Sequence, residues 1–251
     1  MHGAMHDNTM DILLTNDDGI AGGGLQKLAE LLRTNGKHKV TVIAPEVNRS
    51  GVSHAVSLLN NPVKLRKVAE DTWTCSGNPS DCVIIALSEV FPKKPELVIS
   101  GINQGENLGT DIIYSGTVAA ARQASFEDIP SLAFSLAGNA PFCWDMAASW
   151  AVDHLEEMMK LWKKGTFVNV NIPNKAEGPQ GILMAKPGIK HYHDKIEVVN
   201  DHDGGFWCLL GINNERKPHA PEMGTDIEAV SRNFVSVSSV CSYPQLSISE
   251  E

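Results

Sequence analysis

Asp17 and Asp18 are adjacent carboxylates in the segment Thr15-Asn16-Asp17-Asp18-Gly19, directly after the apolar run DILLT at 11–15. On a regular strand, neighbouring side chains face opposite sides. Where a strand ends the chain curls, and both can reach one centre. Two like charges that close are unstable unless they are protonated or neutralised by a cation. Three further polar, glycine-bearing segments recur: Asn48-Arg49-Ser50-Gly51, Ser100-Gly101-Ile102-Asn103 and Ser115-Gly116-Thr117. The Ser50 hydroxyl and the Asn103 amide oxygen complete an oxygen-only donor set, which suits a hard cation such as Mg²⁺ or Mn²⁺ and not zinc. Ser115-Gly116-Thr117 precedes an alanine-rich helical stretch, and free N–H groups at a helix start, two hydroxyls and the helix dipole all favour an anion. Arg49 could add a charged donor to phosphate oxygens. Taken singly, each segment has a plainer reading as a turn, an N-cap or a surface loop. Their recurrence at strand ends is what points to a common site.

The elements that must position these residues are legible from pattern. The run at 11–15, a helical face of Leu25, Leu28, Leu31 and Leu32 with Gly36 as C-cap, and the strand KVTVIA at 39–44 form a β-loop-α-β unit. Its crossover implies parallel strands with a helix on the sheet. Short strands are expected at 63–68 and 72–75, then a helix over 82–91 capped by Ser80 or Asp81. Further strands are expected at 96–102, 131–136 and 167–172, and helices at 118–126 and 144–162. Beyond Pro173 the texture changes. Strands at 196–199 and 206–210 flank NDHDGG as a hairpin, and Gly224-Thr225-Asp226 opens a short helix before a last strand at 234–240. This predicts an α/β fold: a doubly wound, three-layer Rossmann-like core over residues 10–175, with a C-terminal hairpin and arm over 176–251. Residues 1–9 read as a disordered lead-in. In such sheets ligands bind outside the carboxyl ends of the strands, where the four polar segments fall.

Composition narrows the classes. A formal net charge of −9 and the lack of any Lys/Arg-rich run argue against a nucleic-acid polymer as partner. Five widely spaced cysteines without a C-x-x-C pair suggest reduced thiols in a cytoplasmic protein. The first ten residues lack the apolar stretch of a signal peptide, and no run approaches the ~18 apolar residues of a membrane span. A dinucleotide fingerprint starting at Gly19 fails at Ala21, no G-x-x-x-x-G-K-[ST] occurs, and the acidic pair is not the D-x-D of aspartyl-nucleophile phosphatases. His191, Tyr192, His193 and Asp194, with His202, could suggest a second metal site, but a solvated or interface role in the arm is the simpler reading. Trp144, Trp150, Trp162, Met158 and Met159 at helical spacing read as core or subunit contact.

Assembled in order, the segments closely resemble the survival protein SurE family of 5′/3′-nucleotidases. The match runs through ILLTNDDGI (12–20), APEVNRSGVS (44–53), SGNPSDCV (76–83) and LVISGINQGENLGTDIIYSGTVAAA (97–121). It continues more weakly through VNVNIP (168–173) and GTDIEAV (224–230). The loop 21–24 departs from the family in lacking its frequent proline. The resemblance implies one divalent cation held by Asp17, Asp18, Ser50 and Asn103. It also implies release of phosphate from nucleoside monophosphates, trimming of short polyphosphate as an extra activity, and association through the C-terminal segment into a homodimer or homotetramer. The chemistry expected is metal-assisted attack of a water on a phosphomonoester, with Asp17, Asp18 and Asn16 catalytic. Asn16, Gly51, Ser115, Gly116 and Thr117 are the expected phosphate contacts. The rival readings are a covalent Asp17 nucleophile and a nucleotide-binding regulatory module without turnover.

Overall fold

The computed structural model of the protein describes residues 9–190, 194–201, 203–212 and 220–244. Six strands lie parallel and adjacent at its centre: β4 (Thr72–Cys75), β2 (Lys39–Pro45), β1 (Asp11–Thr15), β5 (Leu97–Gln104), β6 (Ser131–Ala137) and β7 (Thr166–Pro173). At one edge β3 (Leu65–Ala69) pairs antiparallel with β4. At the other, β11 (Val235–Cys241) pairs antiparallel with β7 and parallel with β8 (Ile182–Met184). The nine-stranded sheet therefore takes two of its strands from beyond residue 175. A separate antiparallel hairpin, β9 (Asp194–Asn200) and β10 (Phe206–Ile212), stands apart from it.

Strand alternation explains the three layers. Ile12 and Leu14 of β1 face one side, where α1 (Gly23–Thr34) contributes Leu25, Leu28 and Leu32, and α5 (Trp144–Asp153) contributes Ala147, Ala148 and Trp150. Leu13 faces the other side, against Cys82 and Val83 of α2 (Pro79–Ile85) and Ala120 and Ala124 of α4 (Gly116–Phe126). Helices on both faces of a parallel sheet make this the doubly wound α/β arrangement expected from the sequence. From β1 the chain builds β2 and β4 to one side, and later enters β5 on the other side of β1. The strand order thus reverses between β1 and β5, so the crevice at their carboxyl ends is the ligand position of this architecture.

Two helix expectations are corrected. The helix expected over 82–91 begins three residues earlier, with Asn78 as N-cap, Pro79 in the first turn, and the Asp81 carboxylate accepting from the Asn78 N–H at 2.8 Å. Proline is preorganised for that position, and Asp81 serves as the reciprocal partner of the cap. The helix expected over 144–162 is two: α5 and α6 (Leu155–Lys160), broken at His154. The His154 ring stacks on Trp150 at 4.2 Å, and its Nδ1 lies 2.9 Å from the Trp150 carbonyl, so side-chain contacts hold the joint. Four-residue α3 (Asp111–Tyr114) and three-residue β8 were not anticipated. Helix α7 (Asp226–Ser231) follows Gly224-Thr225 as expected, with the Thr225 hydroxyl as its N-cap. Among the described residues no helix is long and apolar enough to cross a membrane.

Close approach of α1 to β5 fixes the geometry beside the crevice. A Cβ on Gly24 would stand 2.0 Å from the Ile102 carbonyl oxygen and 2.8 Å from the Trp144 ring. In a free helix Ala is about 1 kcal/mol better than Gly; here the backbone clash reverses the sign. Gly24→Ala is expected to destabilise the fold by about 3 kcal/mol, read as a lowered urea midpoint. A midpoint at or above that of the wild type would contradict this packing.

Candidate active site

At the end of β1 the chain turns sharply, and Asn16 makes the turn. Its fully buried side chain donates to the Gly19 carbonyl at 2.9 Å and accepts from the Gly19 N–H at 3.2 Å. One amide N–H and one oxygen lone pair are thus held on backbone, which fixes the side chain in the turn and leaves the second N–H. Asp17 is 3 % exposed, and the Thr117 hydroxyl donates to its Oδ1. Asp18 is half-buried and its Oδ2 accepts from the Gln104 N–H at 2.9 Å, which ties the end of β1 to the end of β5.

The first residue of α4 must be glycine for this to work. A Cβ on Gly116 would stand 2.9 Å from the Asp17 Cβ and 3.0 Å from its Oδ2. Helix α4 therefore opens directly onto the Asp17 carboxylate. Its N-cap Ser115 accepts from the Val118 N–H at 3.0 Å, leaving the Ser115 hydroxyl proton to donate outward. The Thr117 side chain is fully buried and its hydroxyl donates to Asp17. The loop at 48–51 is docked by the Arg49 N–H on the Asp17 carbonyl at 2.7 Å. One terminal nitrogen of the Arg49 guanidinium donates to the Ser76 carbonyl at 2.9 Å.

A cleft of about 460 Å³ brings Asp17, Ser50, Gly51, Asn103 and Ser115 together. Asp18, Asn16, Gly116 and Thr117 lie behind or beside its surface and do not line it. The Asn103 amide nitrogen donates to the Gly105 carbonyl at 3.0 Å, so its oxygen is the atom that could hold a cation. Burial pushes the Asp17 carboxyl above the ordinary aspartate value of 3.8, and the Asp18 charge adds to the shift despite the opposing Thr117 hydroxyl. Burial also raises Asp18, against the Gln104 N–H. The donors are carboxylate, hydroxyl and amide oxygens around carboxyls that resist ionisation alone, which fits a hard dication. Among the described residues no group of three or more His, Cys, Asp or Glu could hold a metal. His191, Tyr192, His193 and His202 lie outside the described residues.

Part of the lining is not marked by local sequence pattern. Glu106, Asp111, Tyr114, Asn139, Phe142 and Lys190 also line the cleft. Lys190 Nζ reaches Asp111 Oδ2 at 2.8 Å and Glu106 Oε1 at 3.1 Å. Burial alone would lower the Lys190 pKa, but the two carboxylates outweigh it and raise it above the ordinary lysine value. The fully buried Asp226 carboxylate accepts from the N–H groups of Gly109, Gly188 and Ile227 at 2.8–2.9 Å, joining the Lys190 segment to the cleft loop. Lys190 stands 84 and 79 residues from Glu106 and Asp111 amid low-periodicity sequence, where no local pattern marks it.

This geometry coincides with a family match: the model described as "Survival protein SurE" matches residues 12–194. The chain belongs to the SurE family. Its curated relatives include proteins named 5′-nucleotidase SurE from Microcystis aeruginosa and Thermoanaerobacter sp. The Microcystis protein is 37 % identical over 92 % of this chain and 90 % of its own length. The Thermoanaerobacter protein is 40 % identical over 92 % of each chain. The crystal structure of the SurE protein from Aquifex aeolicus is similar with a TM-score of 0.80 at 36 % identity, covering 94 % of both chains.

In this SurE-family chain the acidic pair should be detectable in stability without any substrate. A carboxyl whose folded pKa is raised binds more protons in the folded state, so stability falls as pH rises from 3.8 through the folded values. In chelator-treated protein, Asp18→Asn removes one such group and the like charge on the other. The variant is expected to be more stable than wild type at pH 7, with the difference vanishing below 3.8. A difference that does not change with pH in urea titrations would show that the two carboxyls are not strained as described.

Proposed function

We infer that the chain is a divalent-metal-dependent phosphomonoesterase that releases phosphate from nucleoside 5′- and 3′-monophosphates. The observation that carries this is the buried Asp17 carboxylate at the β1–β5 reversal, with Asp18 beside it and the α4 N-terminus opening onto it. The name of the relatives, 5′-nucleotidase SurE, supports the same substrate class. Asp17, Asp18, Ser50 and Asn103 would hold one Mg²⁺ or Mn²⁺ ion. When bound, such an ion supplies positive charge for phosphoryl oxygens and lowers the pKa of a water.

The chain's own groups do the rest. The Ser115 hydroxyl, on the cleft surface at the start of α4, receives a non-bridging phosphate oxygen, where the helix dipole favours its charge. Gly51 lets the backbone of the 48–51 loop pass close to the phosphate. With Thr117 fixing Oδ1, Asp17 Oδ2 is the acceptor that orients the attacking water. Asp18 Oδ2 is tied to Gln104 and plays the ligand's part. The partner molecules are small nucleotides, and the acidic chain is not suited to nucleic-acid polymers.

We also assign the hairpin to self-association as a homodimer or homotetramer. The register places Val198 opposite Cys208, Ile196 opposite Leu210 and Asn200 opposite Phe206 on one face. Ile196, Val198, Phe206 and Leu210 on that face are 55–70 % exposed, a contiguous apolar surface of the kind that marks interfaces.

Incubation with a nucleoside monophosphate and Mn²⁺ is expected to release phosphate, and a chelator to stop it. Asp18→Asn should cut release by at least about 100-fold while retaining the far-ultraviolet dichroism of the fold. Full activity in that variant would remove the site. Trapping of a phospho-aspartate would favour covalent attack instead, and turnover absent under every cation would leave a binding module. Leu210→Lys is expected to lower the sedimenting mass of the wild-type oligomer, and a wild-type monomer would defeat the hairpin assignment.

A further inference from the structure

We propose that the loop at 138–143, held in place by Asn174, is a nucleobase platform: the Phe142 ring stacks on the base of a substrate whose phosphate lies at Ser115. The proposal rests on the nucleotidase reading of the cleft and specifies how it takes the part of the substrate that the acidic pair does not touch.

The cleft is lined from both helix layers. Ser115 enters it at the start of α4, which packs on the Leu13 side of the sheet. Phe142 enters it from the opposite layer, where it packs with α1 and α5 over Ile12 and Leu14. Asn103 and Gln104, at the end of β5, line the same cleft. A phosphomonoester seated at Ser115 therefore extends across this strand end towards the 138–143 loop. The other aromatic ring of the lining, Tyr114, adjoins Ser115 and so belongs to the phosphate's side.

The Phe142 ring is preorganised. It stacks with Trp144, with centroids 5.1 Å apart and planes 26° from parallel. Trp144 is wedged in turn against the start of α1, where a Cβ on Gly23 or Gly24 would stand 2.8 Å from its ring. Half-buried Phe142 thus has one face against Trp144 and leaves the other for a planar base. Every base has a π-face, so such a ring accepts any of them.

One side chain laces the backbone beneath. Asn174, directly after β7, donates to the carbonyls of Asn139 and Pro141 at 2.7 and 3.0 Å, and its Oδ1 accepts from the Cys143 N–H at 2.9 Å. Its own N–H donates to the Ala137 carbonyl at 2.8 Å. Gly138, at φ 134°, admits this contact, since a Cβ there would stand 3.1 Å from the Asn174 Cβ. Connecting loops are ordinarily mobile. This one is pinned at its start, middle and end, which sets Phe142 in place before a ligand arrives. Asn139 adds a polar element: it is exposed on the cleft, and its side-chain amide, without a partner among the described residues, offers a donor and an acceptor to a base edge.

The test compares kcat/KM for AMP with that for ribose 5-phosphate, which keeps the sugar and phosphate and lacks the base, with Mn²⁺, in wild type, Phe142→Leu, Phe142→Tyr and Asn174→Ala. Phe142→Leu keeps apolar packing on Trp144 and removes the π-face. It is expected to lower the ratio of AMP to ribose 5-phosphate roughly tenfold, mainly through KM for AMP, with ribose 5-phosphate changed less than about twofold. Phe142→Tyr should keep the wild-type ratio. Asn174 acts through Phe142 as a positioning residue, so Asn174→Ala should lower the ratio in the same direction. If Asn174→Ala does not fold, Phe142→Leu decides alone. Equal losses on both substrates in folded Phe142→Leu, an unchanged ratio, or a wild type that treats the two substrates alike overturns the platform. If wild type releases phosphate from neither, the enzyme reading fails, and calorimetric titration of the same two ligands, then free of turnover, judges the platform by the same ratio. Binding of neither ligand overturns it as well.

Discussion

The constraint on which the structure depends is the burial of an acidic side chain at a strand end, beside another of the same sign. Asp17 is almost wholly removed from water, and its carboxyl resists ionisation even with the Thr117 hydroxyl donating to it. Such a group is costly unless positive charge is brought to it. The fold brings what a protein backbone can supply: the N-terminus of α4, admitted to close range because residue 116 has no side chain. It stops short of full compensation. The remaining deficit is the physical basis for a hard cation at this position, and for a phosphate drawn between that cation and the helix.

Architecture makes this possible. The reversal of strand order between β1 and β5 opens a crevice that no crossover helix covers, so loops after both strands meet there. The meeting is bonded, not merely adjacent: Asp18 on one side takes the Gln104 N–H of the other, and the Asp17 carbonyl takes the Arg49 N–H of the loop after β2. The sheet continues past the core through β11 and β8, and this places α7 and its Asp226 against the cleft loop. The C-terminal segment thereby contributes a wall to the site as well as the apolar hairpin.

What could be read from the sequence was what local pattern encodes. Alternation at 11–15, the leucine face of α1 and the polar strand ends around Asp17, Ser50, Asn103 and Ser115 all announce themselves within a few residues. What escaped depends on partners far along the chain. Thr117 reads as a phosphate donor, and that its hydroxyl donates to Asp17, 100 residues away, is not in the local pattern. That Asn16 grips both the N–H and the carbonyl of Gly19 is likewise a matter of turn geometry and not of residue type. Lys190 has no local signature, since its meaning lies in Glu106 and Asp111. The break at His154 was missed because a ring stack and a contact to a carbonyl, not a proline or glycine, separate α5 from α6.

Buried acids are not in themselves evidence of chemistry, and this chain shows why. Asp81 is fully buried, yet accepts from the N–H groups of Asn78, Ser57 and Leu58 at 2.8–3.2 Å. Asp226 is equally buried and accepts three as well. Backbone donors satisfy both, and both hold loops in place. Asp111 and Glu106 are satisfied in another way, by one lysine. Asp17 differs from all four in having a like charge beside it, with no lysine or arginine bonded to either among the described residues, and a helix N-terminus at close range on an open cleft. The distinction between a structural and a functional carboxylate is thus one of unmet electrostatic demand facing accessible space, and here it falls on one residue.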